Sequence, residues 1–258
     1  MTEILVKEIM SKPRTIAKSA PLTEALGKML REGVDPLIAV HNGSVTGTVS
    51  RRSIAEKLGS KRTSNIAPTS IHVSTLANDD FTIVYEDQEI DVLIALLQSG
   101  AKLAIVYDSD NNLIGQVTYG DLLSHIRPHT TLLESLEQPR FIDAGDRVVH
   151  LRRVMMDEGI SHIVVMKNNA VVGIVSETDV SVAMRKFRET VPEKHQDTQV
   201  RNLLVESIMT APVITLDLST PLDGVIDVLL EKKISGIPIT ESGKVIGILT
   251  RKSAIMAL

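Results

Sequence analysis

The sequence predicts an α/β (α+β) protein assembled from four copies of one β-α-β-β-α unit. Three observations carry that expectation. One strand–turn–strand–helix pattern recurs four times within 258 residues: Pro36–Ala55 (PLIAVHNGSVTGTVSRRSIA), Leu103–Leu123 (LAIVYDSDNNLIGQVTYGDLL), His162–Val180 (HIVVMKNNAVVGIVSETDV) and Gly236–Ile255 (GIPITESGKVIGILTRKSAI). An apolar stripe of helical period precedes each copy. A polar turn of Asn, Gly, Asp or Ser joins the two strands within each. A unit of this size cannot bury its own faces, so the copies are expected to pair and stack.

Each element has its own signal. Short apolar pieces at Thr15–Ala17, Phe81–Tyr85, Arg140–Asp143 and Val213–Leu216 read as the first strands. Helix-start signals follow, such as Ser19-Ala20-Pro21 and Ser219-Thr220-Pro221, with proline near the first turn. The helices carry their stripes at Leu22, Ala25, Leu26, Met29 and Leu30; at Val92, Leu93, Leu96 and Leu97; at Val148, Leu151, Met155 and Met156; and at Leu222, Val225, Ile226, Leu229 and Leu230. That spacing keeps one face apolar, and the methionines on it are expected in the core. Gly33, Gly100 and Gly159 suit left-handed C-caps, and Lys233 takes the matching place in copy four. The turns HNGS, KNNA and ESGK carry residues that tolerate positive φ, which predicts hairpins. The second strand of each copy closes on Ser50, Thr118, Ser176 or Thr250 and runs into a last helix.

The copies are expected at 1–62, 63–127, 131–190 and 203–258, forming modules 1–127 and 131–258. Periodicity lapses at Gly59–Pro68, Arg127–Thr131 and Glu189–Asn202; the polar run around 191–202 is the expected hinge.

Composition narrows the function. Hydrophobic residues are 43% and aromatics 2%, so the core must be aliphatic. Cysteine is absent, which excludes disulfides, thiolate catalysis and cysteine zinc sites. The first residues hold no uninterrupted apolar run, and none elsewhere approaches membrane-spanning length, so a cytoplasmic protein is expected. A net charge of −4 argues against broad attraction to nucleic acid or anionic lipid. A local basic patch of Arg51-Arg52, Lys61-Arg62 and Arg251-Lys252 keeps a nucleic-acid-binding regulator in view, although first-turn cations are more often simply solvated. Arg185–Arg188 likewise reads as a solvated helix end. The seven histidines form no metal-binding pattern, and no nucleophile elbow, P-loop or dinucleotide fingerprint occurs. Neither an enzyme nor a catalytic cofactor is expected.

An opening Ile9-Met10-Ser11 or Ile208-Met209-Thr210, a middle Ser235-Gly236-Ile237-Pro238 and closings GQVTYGD (Gly115–Asp121) and GIVSETD (Gly173–Asp179) together resemble the CBS domain. The resemblance covers almost the whole chain and implies two pseudo-twofold Bateman modules, copies one with two and three with four. These would assemble as a disc, as in the gamma subunit of AMP-activated protein kinase, or as a homodimer. It also implies clefts for adenosyl ligands: AMP, ADP, ATP, S-adenosylmethionine or methylthioadenosine. A carboxylate can accept both hydroxyls of a ribose diol, and in the family the aspartate of [ST]-x-x-D has that role while the hydroxyl and helix start receive phosphate. Carried across, this gives Thr118 with Asp121 and Ser176 with Asp179. The base would lie on Lys102, Leu103 and Ala104, or on Ser161, His162 and Ile163, near Phe81-Thr82 and Phe141-Ile142. Lys102 and His162 stand where a basic group can point at phosphate, though His162 reads more readily as a partly buried strand residue than as a ligand. Copies one and four place Ser53 and Ser253 after Ser50 and Thr250, so their sites are expected to be weaker. The same [ST]-x-x-D spacing also fits a helix capping box, and both roles stay open. So does a scaffold that mediates oligomerisation or partner binding without ligand.

Overall fold

The computed structural model describes residues 4–64 and 66–258. After a short α1 (Val6–Ile9), copy one runs β1 (Thr15–Ala17), α2 (Leu22–Glu32), β2 (Leu37–His41), β3 (Ser44–Val49) and α3 (Arg51–Leu58). Copy two is β4 (Thr82–Tyr85), α4 (Ile90–Gln98), β5 (Leu103–Tyr107), β6 (Leu113–Thr118) and α5 (Tyr119–Leu123). Copy three is β7 (Phe141–Asp143), α6 (Val148–Asp157), β8 (His162–Lys167), β9 (Ala170–Ser176) and α7 (Glu177–Thr190), followed by α8 (Glu193–Gln199). Copy four is β10 (Leu216–Asp217), α9 (Leu222–Glu231), β11 (Gly236–Glu241), β12 (Lys244–Thr250) and α10 (Arg251–Met256).

Each copy forms its own three-stranded sheet, with the first strand parallel to the second and the second antiparallel to the third. The parallel step needs a crossover, and the striped helix supplies it. The hairpins turn through positive φ at Asn42 and Gly43, Asn168 and Asn169, and Ser242 and Gly243. Gly33 and Gly159 leave their helices at φ of 66° and 68°, and Lys233 adopts 54° despite its side chain. The prolines at 21 and 221 occupy the N-cap positions of α2 and α9, one residue before the first turn.

Burial joins copies in two directions. Within the first module, Ile38 packs with Leu103 and Ile105, so the sheets of copies one and two face each other. Across modules, one large core joins copies one and three, with Leu26, Met29 and Ile54 among Leu151, Ile163 and Met184; a second joins copies two and four, with Leu93, Leu97 and Leu122 among Ile226, Leu229 and Ile255. Helix α3 lies on α7, and α5 lies on α10.

The opening segment of every copy is lodged in its sister. Val6 and Ile9 are buried in copy two's core, Val73 and Leu76 in copy one's, Leu132 in copy four's and Val205 in copy three's. Each lent strand makes an antiparallel bridge to the sister's closing strand: Ser11 with Gln116, Asn78 with Thr48, Glu137 with Ile248, and Thr210 with Ile174. This explains the glycine of the closing pattern. A Cβ on Gly115 would come within 2.6 Å of Met10 Sδ, on Gly173 within 2.7 Å of Met209 Sδ, and on Gly247 within 2.7 Å of Leu136 Cβ. Only glycine admits the lent backbone so closely.

Three expectations are corrected. The stripes are narrower than their periodicity: Leu30, Val92 and Met156 are 41%, 43% and 47% exposed, at the margins of the buried faces. The polar run after copy three is no open hinge. Helix α7 continues to Thr190, α8 follows, and buried Gln196 donates from Nε2 to Arg188 O and Val191 O. Arg188 is not solvated either. It is buried and donates to the carbonyls of Leu58 (3.0 Å), Thr63, Ser64 (3.1 Å) and Ile66 (2.5 Å), so copy three grips the connection after copy one. Periodicity reads only neighbours along the chain, whereas these contacts span more than 120 residues.

Replacing Arg188 by alanine is expected to destabilise the protein by about 3 kcal/mol, because buried carbonyls lose a charged donor. It should also speed tryptic cleavage after Arg62. Thermal denaturation and limited proteolysis check both; an unchanged midpoint would contradict the grip.

Candidate functional site

The closing helices start from one device in all four copies. Ser50, Thr118, Ser176 and Thr250 are N-caps, and each forms a reciprocal capping box with the residue three positions on. In copy two, Asp121 Oδ2 accepts from Thr118 N (2.8 Å) and Thr118 Oγ1 (2.7 Å), and Asp121 N donates back to Thr118 Oγ1 (3.2 Å). Copy three repeats this with Ser176 and Asp179, at 2.7 Å and 2.6 Å to Asp179 Oδ2. Copies one and four run the same box with serine: Ser50 N donates to Ser53 Oγ (3.1 Å), and Thr250 N to Ser253 Oγ (3.0 Å). Serine therefore suffices to cap.

What the aspartates add is a second oxygen and a charge. Asp121 Oδ1 has no hydrogen-bond partner among the described residues, while Ser11 Oγ approaches Oδ2 at 3.3 Å. Asp179 Oδ1 accepts from Thr210 Oγ1 at 2.8 Å, and a carboxylate oxygen has a further lone pair to offer. Both aspartates are half-buried. A groove of about 460 Å³ opens beside Asp179 along α7, floored by Val182, Phe187, Leu203 and Ile208 and edged by Lys186.

The strand starts are less open than the sequence suggested. Leu103, Ala104, Ile163 and Ile142 are buried, Lys102, Ser161, Phe81 and Thr82 are half-buried, and Phe141 is exposed. Lys102 Nζ pairs with Asp80 at 3.3 Å. His162 is buried between Ser161 Oγ (2.8 Å) and Ser235 Oγ (2.9 Å), with its ring against Gly236. Burial pushes its pKa down to about 4, against the pull of Asp179. A neutral imidazole brings no charge to a phosphate, and His162 ties copies three and four together.

The first-turn arginines are not solvated, which corrects the expectation of an external basic patch. Arg51 Nη2 donates to Met29 O (3.1 Å) and Val34 O, at the end of α2, and Arg251 Nη2 to Leu229 O (2.9 Å), near the end of α9. Cations there meet the negative helix terminus. Both also reach the opposite module. Arg51 Nη1 donates to Thr178 Oγ1 (3.2 Å), and Arg251 Nη1 lies where a Cβ on Gly120 would come within 2.9 Å. Arg52 Nε pairs with Glu177 at 3.0 Å, and its Nη2 donates to Met155 O. Burial pushes Glu177 up to about 7; Arg52 and Lys102 oppose, while Asp35 and Glu56 reinforce. Burial likewise raises Asp35 against the pull of Arg51. No spacing signal in the sequence pointed to this inter-module charge cluster.

The family model described as CBS domain matches residues 6–60, 73–128, 130–186 and 205–258. The chain belongs to the CBS domain family. Two proteins of Methanocaldococcus jannaschii resemble this CBS protein along nearly its whole length. MJ1404 is 25% identical over 97% of the chain, which spans only 61% of MJ1404's length; MJ1225 is 21% identical over 94% of the chain and 92% of its own. The crystal structure of MJ1225, proposed to be an archaeal homologue of g-AMPK, superposes with a TM-score of 0.78, covering 98% of this chain and 99% of that one. A conserved protein of Pyrococcus horikoshii superposes with a TM-score of 0.62 at 18% identity, covering 98% of each chain. These likenesses establish the fold. Among the described residues, no helix is long and apolar enough to cross a membrane and no cluster of acidic or histidine side chains could hold a metal ion.

Glu177 gives a pH signature. Its folded pKa lies above its ordinary value, so the folded state binds more protons and loses stability as pH rises from about 4.5 to about 7. Glu177→Gln should therefore gain stability relative to wild type across that interval, measured as the difference in thermal midpoint at pH 5 and pH 7.5. A constant difference would show that Glu177 ionises normally.

Proposed function

We propose that this CBS protein is a non-catalytic cytoplasmic sensor. In this reading it holds adenosyl ligands (AMP, ADP, ATP, S-adenosylmethionine or methylthioadenosine) at copies two and three and passes occupancy to a regulated partner protein. The observation that carries the reading is the division of labour in the closing motif. Serine caps the helix equally well in copies one and four, so capping alone does not require the carboxylates of Asp121 and Asp179. Their remaining acceptor capacity suits a ribose diol. The groove beside Asp179 gives a ligand's body an apolar wall. The proposed kinship of MJ1225 with g-AMPK supports a regulatory role. In this reading ligand at copy three sits next to Thr178, which Arg51 of the other module holds, and its occupancy alters how the modules meet. The expected site residues remain Thr118 and Asp121 with Lys102, Leu103, Ala104, Phe81 and Thr82, and Ser176 and Asp179 with Ser161, Ile163, Phe141 and Ile142. His162 serves from the junction.

A scaffold reading draws on the same boxes, since all four copies keep the cap whether or not they keep the carboxylate.

The separating variants are Asp121→Ser and Asp179→Ser, which install the capping serine already present in copies one and four. The thermal midpoint without ligand should fall by only a few degrees, since the box survives while the Thr210 bond to Asp179 and the charge at the helix start are lost. Losing a charged hydrogen bond of about 1.5–3 kcal/mol should weaken adenosyl-ligand binding roughly 10- to 100-fold by calorimetry. Equal affinity in variant and wild type would remove the aspartates from the site, and no adenosyl binding by either protein would favour the scaffold.

A further inference from the structure

Charge is divided unequally between the two copies of the first module. Residues 1–62 include eleven basic and six acidic side chains, a net charge of +5. Residues 63–127 include two basic and nine acidic ones, a net charge of −7. The whole chain carries only −4, so opposite charges are collected on neighbouring copies rather than mixed. Of the nine acids, Asp80 alone forms an ion pair among the described residues, with Lys102. Glu89 and Asp91 stand exposed at the start of α4, and Arg31 stands exposed in the last turn of α2.

Both helices leave an apolar stripe residue uncovered beside those charges, Leu30 at 41% and Val92 at 43% exposure. On α2, Thr23, Gly27, Leu30 and Arg31 share one face; on α4 and its C-cap, Asp91, Val92, Ala95 and Ser99 share one. All four of the α4 residues are exposed. Run antiparallel, the two faces match position by position. Arg31 falls on Asp91, Leu30 on Val92, Gly27 on Ala95 and Thr23 on Ser99. The opposite charges close one end, the apolar pair lies next to them, and the two smallest residues let the axes approach at the centre. A Cβ on Gly27 would meet only Arg31 Nη1, at 3.2 Å, so the space above it is otherwise open. Within one chain the two helices bury their other sides in different cores, α2 with copy three and α4 with copy four. Copy three also exposes Val149 and Met156 on α6, but amid charges of both signs, so that face specifies no such match.

We propose that these faces form a self-association surface, with α2 of one chain seated antiparallel on α4 of a second copy. About a twofold axis the contact is made twice, because each chain offers both halves of it. Charge selects this occupant. A basic segment of another protein satisfies α4 and leaves α2 unpaired, whereas a second copy satisfies both. The buried sides of α2 and α4 are untouched, so the chains dimerise without refolding.

Sedimentation velocity of the full chain over a range of concentrations tests this, at about 0.05 M and about 0.5 M salt. A monomer–dimer equilibrium is expected at the lower salt, with a dissociation constant about tenfold higher at the higher salt. Arg31→Glu and Asp91→Arg each set like charges together in both contacts and should weaken the dimer by about tenfold or more. An equimolar mixture of the two variants should restore it, because each exchanged charge then faces its opposite on the other chain. The three test positions are exposed, so Arg31→Glu, Asp91→Arg and Ala95→Gln should keep the wild-type circular dichroism, which confirms folding. Ala95→Gln fills the centre and should weaken the dimer at either salt. A chain that stays monomeric at both salts would overturn the proposal. So would a dimer that the single variants leave intact, or a mixture that associates no better than either variant alone.

Discussion

A β-α-β-β-α unit has more apolar surface than its own chain can cover, and the rest of this structure follows from where that surface goes. The sheets of copies one and two meet within a module, while the helices meet across modules. The first module keeps only a small cluster of its own around Ile38, Leu103 and Ile105; the two large cores are shared between modules. Leu26, Met29 and Ile54 of copy one share their buried cluster with Leu151, Ile163 and Met184 of copy three, and copies two and four share the other. Burial at roughly 25 cal/mol per Å² is the only large favourable term open to a chain with so few aromatics and no cysteine. The two modules are thus bound into one cooperative body.

The same economy shapes the candidate sites. Each closing helix needs a cap, and its preceding strand must admit a segment from the sister copy. The closing glycines provide the second, and the hydroxyl with its partner three residues on provides the first. A carboxylate at that partner position is surplus to capping, and it sits where the lent segment, the helix start and an arginine-bearing opposite module converge. Arg51 and Arg251 each join the end of a helix in their own copy to the start of a helix in the facing one. Arg52 and Glu177 close the same joint with an ion pair whose carboxyl is held near neutrality by burial. A small molecule that rearranges a few of these hydrogen bonds acts on the module interface directly.

What the sequence made legible was local. Asn42-Gly43 and Asn168-Asn169 announce positive φ because few other residues accept it. Gly33 and Gly159 announce helix ends, and the stripes at Leu22–Met29 and Leu222–Leu229 announce buried faces. The capping hydroxyls and the two aspartates were legible as a motif whose two roles could not be separated from spacing alone. The serine boxes of copies one and four separate them in geometry. Hidden were the contacts between distant segments: the exchange of opening strands, Arg188 on the carbonyls after α3, His162 facing Ser235, and Glu137 beside Thr250. Arg188 looked like a solvated cation because nothing in its neighbourhood along the chain reveals what covers it; His162 read foremost as a partly buried strand residue, and only its partner Ser235 was hidden. The run that forms α8 was misread as a hinge for the same reason as Arg188, since a polar run can be a helix when its buried side is a residue such as Gln196.

The measurement that bears most directly on this account is a dye-based thermal shift of the whole chain, which has no tryptophan of its own. The compounds are AMP, ADP, ATP, S-adenosylmethionine and methylthioadenosine, with a guanosine nucleotide as control. A ligand at one hundred times its Kd adds about 2.7 kcal/mol, enough to raise the midpoint by several degrees. A shift with one or more adenosyl compounds and none with guanosine is expected. No shift at millimolar concentration, or an equal shift with the guanosine control, would contradict it.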